Sequence, residues 1–378
     1  MLPLDGLLVV SIEQAVAAPF CSARLVQAGA RVIKIERDEG DFARRYDTAA
    51  KGESSYFTWL NQGKESVCLD FKDRKGASSL WAILKQADVL IQNLSPGALA
   101  RAGFSKASLH AANPTLIICN ISGYGDTGEV SSKRAYDLLV QAESGLVSVS
   151  GSAKAPGRIG VSVCDIGAGM TAYSAILEAV LKRQLTGKGD ELSVSLFDVA
   201  ADWMTVPYLH AEYGEGAPKP AGLRHPSIAP YGAFACSDNQ LVLIAIQNER
   251  EWRRLCEEVL QAPHFLQTQA YNSNNDRVAN RDRLERDMTE ITSNMTSTEF
   301  QARLQQASIA FGAINSADQL SSHAAFRSEI ATTSDGKEIR VPAHPVLHHD
   351  GSNQRVSRSP KPGEHTDRVI EEFSGQMS

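Results

Sequence analysis

The first two hundred residues alternate short apolar runs with helical repeats, and few folds satisfy that alternation. The apolar runs are Leu7–Ile12, Arg31–Glu36, Ser66–Phe71, Asp88–Asn93, Thr115–Asn120 and Leu192–Leu196. Several are apolar at successive positions, as strands covered on both faces are. Apolar residues at helical spacing predict helices near 17–29, 74–87, 135–147 and 167–185 between them. Strand and helix in repeated succession imply an open, mostly parallel sheet with helices on both faces. Ligands on such sheets bind at the carboxyl ends of the strands. Polar residues stand at several of those ends: Glu36 and Arg37, Lys72, and Asn93.

With 378 residues the chain exceeds one small core. Gly, Pro and His collect between Tyr213 and Pro226, as in a linker or an active-site loop. A pair of strands follows, Tyr231–Cys236 and Leu241–Ile246, joined by Ser-Asp-Asn-Gln. Helices are expected near 248–260, 280–293 and 297–307, the last opened by a capping box of Thr296 and Glu299. Beyond 326 come a strand at Ile339–Val341 and a final helix from His365 and Thr366. The expected division is 1–205 for the first part of a large α/β domain, 206–224 for a linker, 225–325 for a small α+β domain, and 326–378 for a return to the large one.

A net charge of −6 with scattered Lys and Arg argues against a nucleic-acid partner. The six cysteines are far apart, with no C-x-x-C, and read as reduced, buried thiols. No zinc pattern such as H-E-x-x-H is present, so no metal is expected, and the pair His348-His349 reads as surface. Gly123-Tyr-Gly125-Asp-Thr-Gly128 has the G-x-G-x-x-G spacing, but no helical repeat opens on it and there is no Walker sequence, so a standard dinucleotide or nucleotide site is not expected. The N-terminus runs directly into a strand without a signal-peptide pattern, and no stretch approaches the ~20 apolar residues that span a bilayer. The expectation is a cytoplasmic protein with no membrane partner.

One carboxylate is singled out. In Val161–Met170 an apolar, strand-like stretch stops at Asp165, two small-residue steps follow, and a helical pattern begins. An aspartate at such a junction is either a helix N-cap or a nucleophile toward an acyl group.

The chain resembles the class III CoA-transferase (CaiB/BaiF) family along nearly its whole length. The resemblance is carried by Ala17-Ala18-Pro19-Phe20, Gly29-Ala30-x-Val-Ile-Lys-Ile-Glu-Arg37, Gly40-Asp41-x-x-Arg44, Asn61-x-x-Lys64-x-Ser66 and Leu69-Asp70-x-Lys72. It continues through Asn93-x-x-Pro-Gly-Ala-Leu99, Gly123-Tyr-Gly125, the Asp165 junction, Gly187-x-Gly189, His225-Pro226-x-x-x-Pro230-Tyr231 and Gly363-Glu-His-Thr366. Each fragment is short, and their shared order and spacing make the match specific.

That resemblance implies a Rossmann-like large domain built from both chain ends, a smaller domain between, and a homodimer of interlocked chains. It implies Asp165 as the nucleophile. The carboxylate would attack a donor acyl-CoA, giving a mixed anhydride and CoA thiolate. The thiolate would then attack the aspartyl carbonyl, giving an aspartyl-CoA thioester and freeing the donor acid. An acceptor acid would reverse these steps, so the thioester energy is kept. Backbone N–H groups near Asp165 are the expected oxyanion donors, and a small-residue loop or lid is expected to exclude water. CoA or acyl-CoA is then a substrate, with no permanently bound cofactor. Arg37, Lys72 and Arg101 match positions at the phosphate end. Gln14, Val16, Ala17, Leu69, Asn93, Leu94, Arg134 and Tyr136 match the adenine or pantetheine path.

Two departures qualify the match. The glycine run that forms a lid in the formyl-CoA transferase branch is missing, and the segment around Gly222–Tyr231 occupies that part of the chain, where His225 is a candidate for the acceptor acid. An α-methylacyl-CoA racemase, the nearest rival, needs a His base where this chain has Tyr136, a poor base near neutral pH. A CoA-binding scaffold, a rival of another class, would not need Asp165. The N-terminal wording looks closest to the branch that moves CoA from succinyl-CoA to itaconate, mesaconate or citramalate. The alternatives are oxalate, carnitine or aromatic acids. A dicarboxylate needs a cation for its far end, and Arg44, Arg45 and Arg224 are the candidates.

Overall fold

The computed structural model describes residues 2–152, 154–214, 216–347 and 357–375; the pair His348-His349 lies outside them. The described residues form two compact units. The first comprises residues 1–147, 158–209 and 327–378, and the second 148–157 and 210–326.

The first unit is built on six strands: β1 (Leu8–Ile12), β2 (Arg31–Glu36), β3 (Glu65–Cys68), β4 (Val89–Gln92), β5 (Ile117–Ser122) and β6 (Glu191–Ser195). All neighbours are parallel, in the order β3-β2-β1-β4-β5-β6. The chain winds outward from β1 to β3, returns to the centre, and winds the other way from β4. The topological switch point therefore lies between β1 and β4, where open α/β sheets bind ligands.

Alternation along the strands divides two apolar faces. Val9, Val32, Val89, Ile91, Ile117 and Cys119 bury against helices α1 (Ala17–Gln27) and α4 (Val163–Thr186). Val10, Ile33, Ile35, Leu90 and Ile118 bury against α2 (Arg74–Leu84) and the last helix, α7 (Thr366–Ser374). Each fully buried aliphatic side chain contributes about 1.5–3 kcal/mol, so both helix layers are held by the strand pattern itself. Other helices include α3 (Asp137–Glu143), α5 (Leu196–Trp203) and α6 (Thr205–Tyr213).

Helix α4 differs from the expectation in two ways. It starts at Val163, so Val161–Cys164 is not a strand and Asp165 sits in the first helical turn. By length and composition alone it would also cross a membrane, contrary to the expectation that no segment could. Its Cys164, Ala168, Ala172, Ile176 and Ala179 are buried in the protein core.

The glycines after Asp165 are packing sites. A methyl group on Gly169 would stand 2.6 Å from the Ala17 carbonyl oxygen, and one on Gly167 2.3 Å from the Trp203 ring. These two positions bring α1 and α5 into close contact with α4.

The C-terminal return reaches the free edge of β3. The His365 N–H donates to the Ser66 carbonyl at 2.9 Å, and the Cys68 N–H donates to Thr366 Oγ1 at 2.9 Å. Val369 and Phe373 then bury in the core. The segment before it forms a hairpin of β10 (Ser328–Thr332) and β11 (Glu338–Pro342), where only a strand at Ile339–Val341 was expected.

The second unit has an antiparallel sheet of β7 (Tyr231–Ala235), β8 (Leu241–Ala245) and β9 (Ala310–Ala313), in the order β9-β8-β7. Helices Arg281–Thr292 and Ser297–Gln306 pack on it through Leu284, Met288, Phe300 and Leu304. Thr296 caps its helix through the Glu299 N–H, but the Glu299 carboxylate pairs with Arg303, so the expected reciprocal half of the box does not form. Residues 206–213, expected as linker, belong to helix α6. Ser148–Gly157 joins this unit, with Gly151 accepting from the Gly222 N–H at 2.8 Å. All six cysteines are free thiols, and five are buried.

Candidate active site

Because the six strands of the first unit are parallel, their carboxyl ends share one edge of the sheet. Gln14, Val16 and Ala17 follow β1, Arg37 follows β2, Leu69 and Lys72 follow β3, Asn93, Leu94 and Arg101 follow β4, and Arg134 and Tyr136 follow β5. Helix α4 crosses over between β5 and β6, so its N-terminus, with Asp165, lies at the same edge.

The switch point is closed by a reciprocal pair. The Gln14 N–H donates to Asn93 Oδ1 at 3.0 Å, and Asn93 Nδ2 donates to the Gln14 carbonyl at 2.9 Å. Ala15 follows with φ at +64°, a conformation alanine rarely adopts. Its N–H donates to Asp41 Oδ1 at 3.2 Å, which holds the turn.

Asp41 belongs to a buried ionic cluster beneath this turn. Lys34 Nζ lies 2.9 Å from Asp41 Oδ2 and 3.3 Å from Glu13 Oε1, and Lys64 Nζ lies 2.6 Å from the same Glu13 oxygen. Ser11 and Ser22 both donate to Glu13 Oε2. Burial pushes Glu13 up, but Lys64 and Lys34 outweigh it and hold the carboxyl at about 2. Burial pushes Lys64 down to about 8 despite Glu13. Burial also pushes Lys34 down, but Glu13 first, then Asp41 and Glu36, outweigh it and move Lys34 the opposite way. Two ammonium groups share one carboxylate, and Lys64 is the less compensated.

The candidate phosphate cations are differently engaged. Arg37 and Lys72 are exposed and, among the described residues, their charged groups have no side-chain partner. Arg101 donates to the Pro96 carbonyl at 3.2 Å and is otherwise exposed. Arg134 is exposed. Leu69 and Val16 are buried in apolar clusters, Ala17 packs against the α4 face of the sheet, and Leu94 is half-buried.

Asp165 is half-buried at the third position of α4. Its carboxyl is pushed up to about 7, by burial and then by the nearby Asp137 charge. Among the described residues the carboxylate makes no hydrogen bond. The donors of its helix terminus are used elsewhere. Asp137 Oδ1 accepts from the Cys164 N–H at 2.8 Å and the Asp165 N–H at 3.3 Å. The Val163 N–H goes to Val161 O and the Ile166 N–H to Ser162 O. The N-cap is Ser162, not Asp165, and these four N–H groups, among those expected as oxyanion donors, are already bonded.

A group of tyrosines begins beside the carboxylate with Tyr46. Tyr46 is within electrostatic reach of both Asp165 and Tyr136, and burial first, then Asp41 and Asp165, push its hydroxyl up to about 12. Tyr46 meets Tyr56 edge to face, with ring centroids 5.4 Å apart. Tyr136 is 63% exposed, open to a ligand.

The arginines considered for the acceptor's far carboxylate are mostly committed. Arg44 pairs with Glu36 at 2.7 Å, donates to the Pro360 carbonyl at 2.9 Å and covers the Phe57 ring. It is a structural partner, not a free reader. Arg224, in the second unit, pairs with Asp282 and Glu285. His225, in the same unit, stacks on Tyr231 at 5.3 Å and accepts the Ser227 N–H. Arg45 is exposed and donates to the Glu39 carbonyl.

Sequence reasoning missed Asp137, Tyr46 and Tyr56, and assigned no role to the Glu13 cluster. Lys34, a charge inside Val32-Ile33-Lys34-Ile35, was a legible sign of a buried ion pair. Nothing local marks Asp137, because its target lies 28 residues away.

The model of CoA-transferase family III matches residues 4–366. An acetyl-CoA:oxalate CoA-transferase of Acetobacter aceti is 36% identical over 75% of this chain and 73% of its own. A succinyl-CoA:glutarate CoA-transferase of Mus musculus is 30% identical over 98% of this chain and 86% of its own. The crystal structure of a CAIB/BAIF family protein from Brucella suis superposes with a TM-score of 0.86 at 30% identity, over 98% of this chain and 99% of that one.

Proposed function

The chain belongs to CoA-transferase family III, and from that premise we propose that Asp165 carries the transferred acyl group and CoA in turn. The observation that supports this most is the state of Asp165. Among the described residues it is a carboxylate without donors, at the sheet edge where ligands bind, with a pKa near neutrality. Its oxygen attacks the donor thioester carbonyl, the C–S bond breaks, and the electron pair leaves on the CoA thiolate. The thiolate attacks the aspartyl carbonyl, the anhydride C–O bond breaks, and the donor acid departs. The acceptor carboxylate then attacks the aspartyl thioester, and the released thiolate takes the acceptor acyl group. No net proton is consumed.

CoA is a substrate here. Arg37, Lys72 and Arg101 suit its phosphates, and the Gln14–Asn93 turn, Leu94, Arg134 and Tyr136 suit the remainder of the molecule. The acceptor is a small dicarboxylate of the itaconate, mesaconate or citramalate type, with succinyl-CoA as donor. The succinyl-CoA:glutarate relative favours this donor and a dicarboxylate acceptor, and the acetyl-CoA:oxalate relative favours the oxalate alternative. With Arg44 and Arg224 held by carboxylates, Arg45 beside Tyr46 remains for the far carboxylate. The working form is a homodimer.

Purified protein is incubated with succinyl-CoA and a panel of acids, and each acyl-CoA product is detected by mass spectrometry, with Asp165→Ala in parallel. New acyl-CoA from a C5 dicarboxylate, lost in the variant, is expected. Transfer only to another acid overturns the substrate. Undiminished transfer by Asp165→Ala overturns the nucleophile.

A further inference from the structure

We propose that Asp137 is the positioning residue that makes Asp165 reactive: it takes the backbone donors of the α4 terminus, so that the Asp165 carboxylate stands without hydrogen bonds beside a fixed negative charge. The inference rests on the transferase reading of Asp165.

An aspartate in the first turn of a helix ordinarily benefits from that terminus. Free N–H groups and the helix dipole stabilise its charge, lower its pKa and occupy its lone pairs. Such a carboxylate is a weak nucleophile. At α4 this stabilisation is diverted. Asp137 Oδ1 holds the Cys164 and Asp165 N–H groups, and the Val163 and Ile166 N–H groups are used within the terminus.

Asp137 is itself well held. Its Oδ2 accepts from Gln141 Nε2 at 2.6 Å. Gln141 is fully buried, and its Oε1 accepts the Ile159 N–H at 2.9 Å. Asp137 is also the first residue of α3, where a negative charge is favoured. Asp137 thus collects three donors and Asp165 none. Burial and then the Asp137 charge raise the proton affinity of Asp165, so its carboxylate is the stronger base.

A cap alone would not require this arrangement. Ser162 occupies the N-cap position, and its hydroxyl makes no capping bond. The chain reaches 28 residues back for a charged group instead. The charge matters because it acts on only one state of the enzyme. When the Asp165 oxygen bonds to the acyl carbon and the thiolate leaves, the aspartyl group becomes neutral and its repulsion with Asp137 ends. The repulsion returns when the carboxylate is regenerated. Asp137 therefore raises the free enzyme relative to both covalent intermediates. The other titratable groups within electrostatic reach of Asp165 are Tyr46 and the Cys164 thiol, both pushed up and therefore neutral near pH 7.

Asp137→Asn tests this, since the amide oxygen still accepts the two N–H bonds without the charge. Three readouts are compared with wild type, after Asp165→Ala has been found inactive. The acid limb of kcat/KM is expected to move down by about one pH unit or more. Transfer at pH 8 is expected to fall roughly 3-fold for each unit of that shift, by the dependence of nucleophilicity on basicity measured for thiolates. A ¹³C titration of the aspartate carboxyls, with Asp165 assigned through Asp165→Asn, is expected to give the same downward shift without any turnover. Ser162→Ala is expected to leave all three unchanged. An unchanged Asp165 titration in Asp137→Asn overturns the proposal, whether activity is retained or lost; loss with an unchanged titration identifies a structural cap only. Transfer that persists in Asp165→Ala is a failure of the transferase reading instead, seen before any Asp137 variant is read.

Discussion

The main chain of Gln14 and the side chain of Asn93 bind each other twice, at 3.0 and 2.9 Å, across the point where the sheet reverses its winding. One amide supplies both an acceptor and a donor, so only asparagine or a close mimic closes the ring. The pair fixes the β1–α1 turn relative to β4, and the turn carries Gln14 and Val16.

Asn93→Asp keeps the acceptor and loses the donor, and Asn93→Ala loses both. Each lost bond is worth about 0.5–1.5 kcal/mol. The expected outcome is a rise in KM for the acyl-CoA, smaller for Asp than for Ala, with kcat changed less than KM. Steady-state kinetics with saturating acceptor measures it.

The Asp165 pKa of about 7 predicts a pH dependence for both activity and stability. Activity needs the carboxylate, so kcat/KM should rise with pH and level off above about 7. For stability the sign is opposite. The folded pKa is raised above the ordinary 3.8 of the unfolded chain. The folded state therefore holds the proton more tightly, and this stability is full below 3.8 and lost as pH rises through about 7. Asp165→Asn removes the dependence. Its Tm should match or trail wild type at pH 4 and exceed it at pH 8, by differential scanning calorimetry.

Gly169→Ala should separate α1 from α4. The added methyl meets the Ala17 carbonyl oxygen at 2.6 Å and Phe20 Cβ at 2.9 Å. Overpacking of this kind costs about 1–3 kcal/mol, and the shift displaces the terminus that holds Asp165. A lower Tm together with a lower kcat is expected. Gly312→Ala, with open space around it in β9, should change neither.

Glu13→Gln should be among the most destabilising single substitutions in the first unit. It leaves Lys34 bonded to Asp41 and Lys64 buried with no carboxylate bonded to it. Breaking a buried ion pair from one side costs about 3–5 kcal/mol. Glu13 is held at about 2, so its contribution is present above the unfolded value of 4.5 and lost as pH falls through about 2. The stability gap between wild type and the variant, measured by urea unfolding, should narrow across that acid range. Adding Lys64→Met should recover part of the loss at pH 7.

The legible part of this protein is the part written by local period. Apolar runs such as Val32-Ile33 and Leu90-Ile91 can only be strands covered on both faces, and their alternation with helical repeats determined a parallel sheet and its ligand-binding edge. Strand Arg31–Glu36 and the start of the final helix after His365 have the expected limits. Motif order was enough for the family and for singling out Asp165.

What tertiary structure decided is the electrostatic state of those residues. Arg44 has the sequence look of a substrate cation, and the fold spends it on Glu36. The apolar run before Asp165 reads as a strand, yet α4 begins inside it, because its residues pack against α1 and α5 and its terminus is capped from outside by Asp137. Hydrophobic period acts between neighbours in sequence, so a single chain displays it. Charge and hydrogen-bond partnership act between neighbours in space, and Asp137 and Asp165, or Glu13 and Lys64, become neighbours only once the sheet has formed.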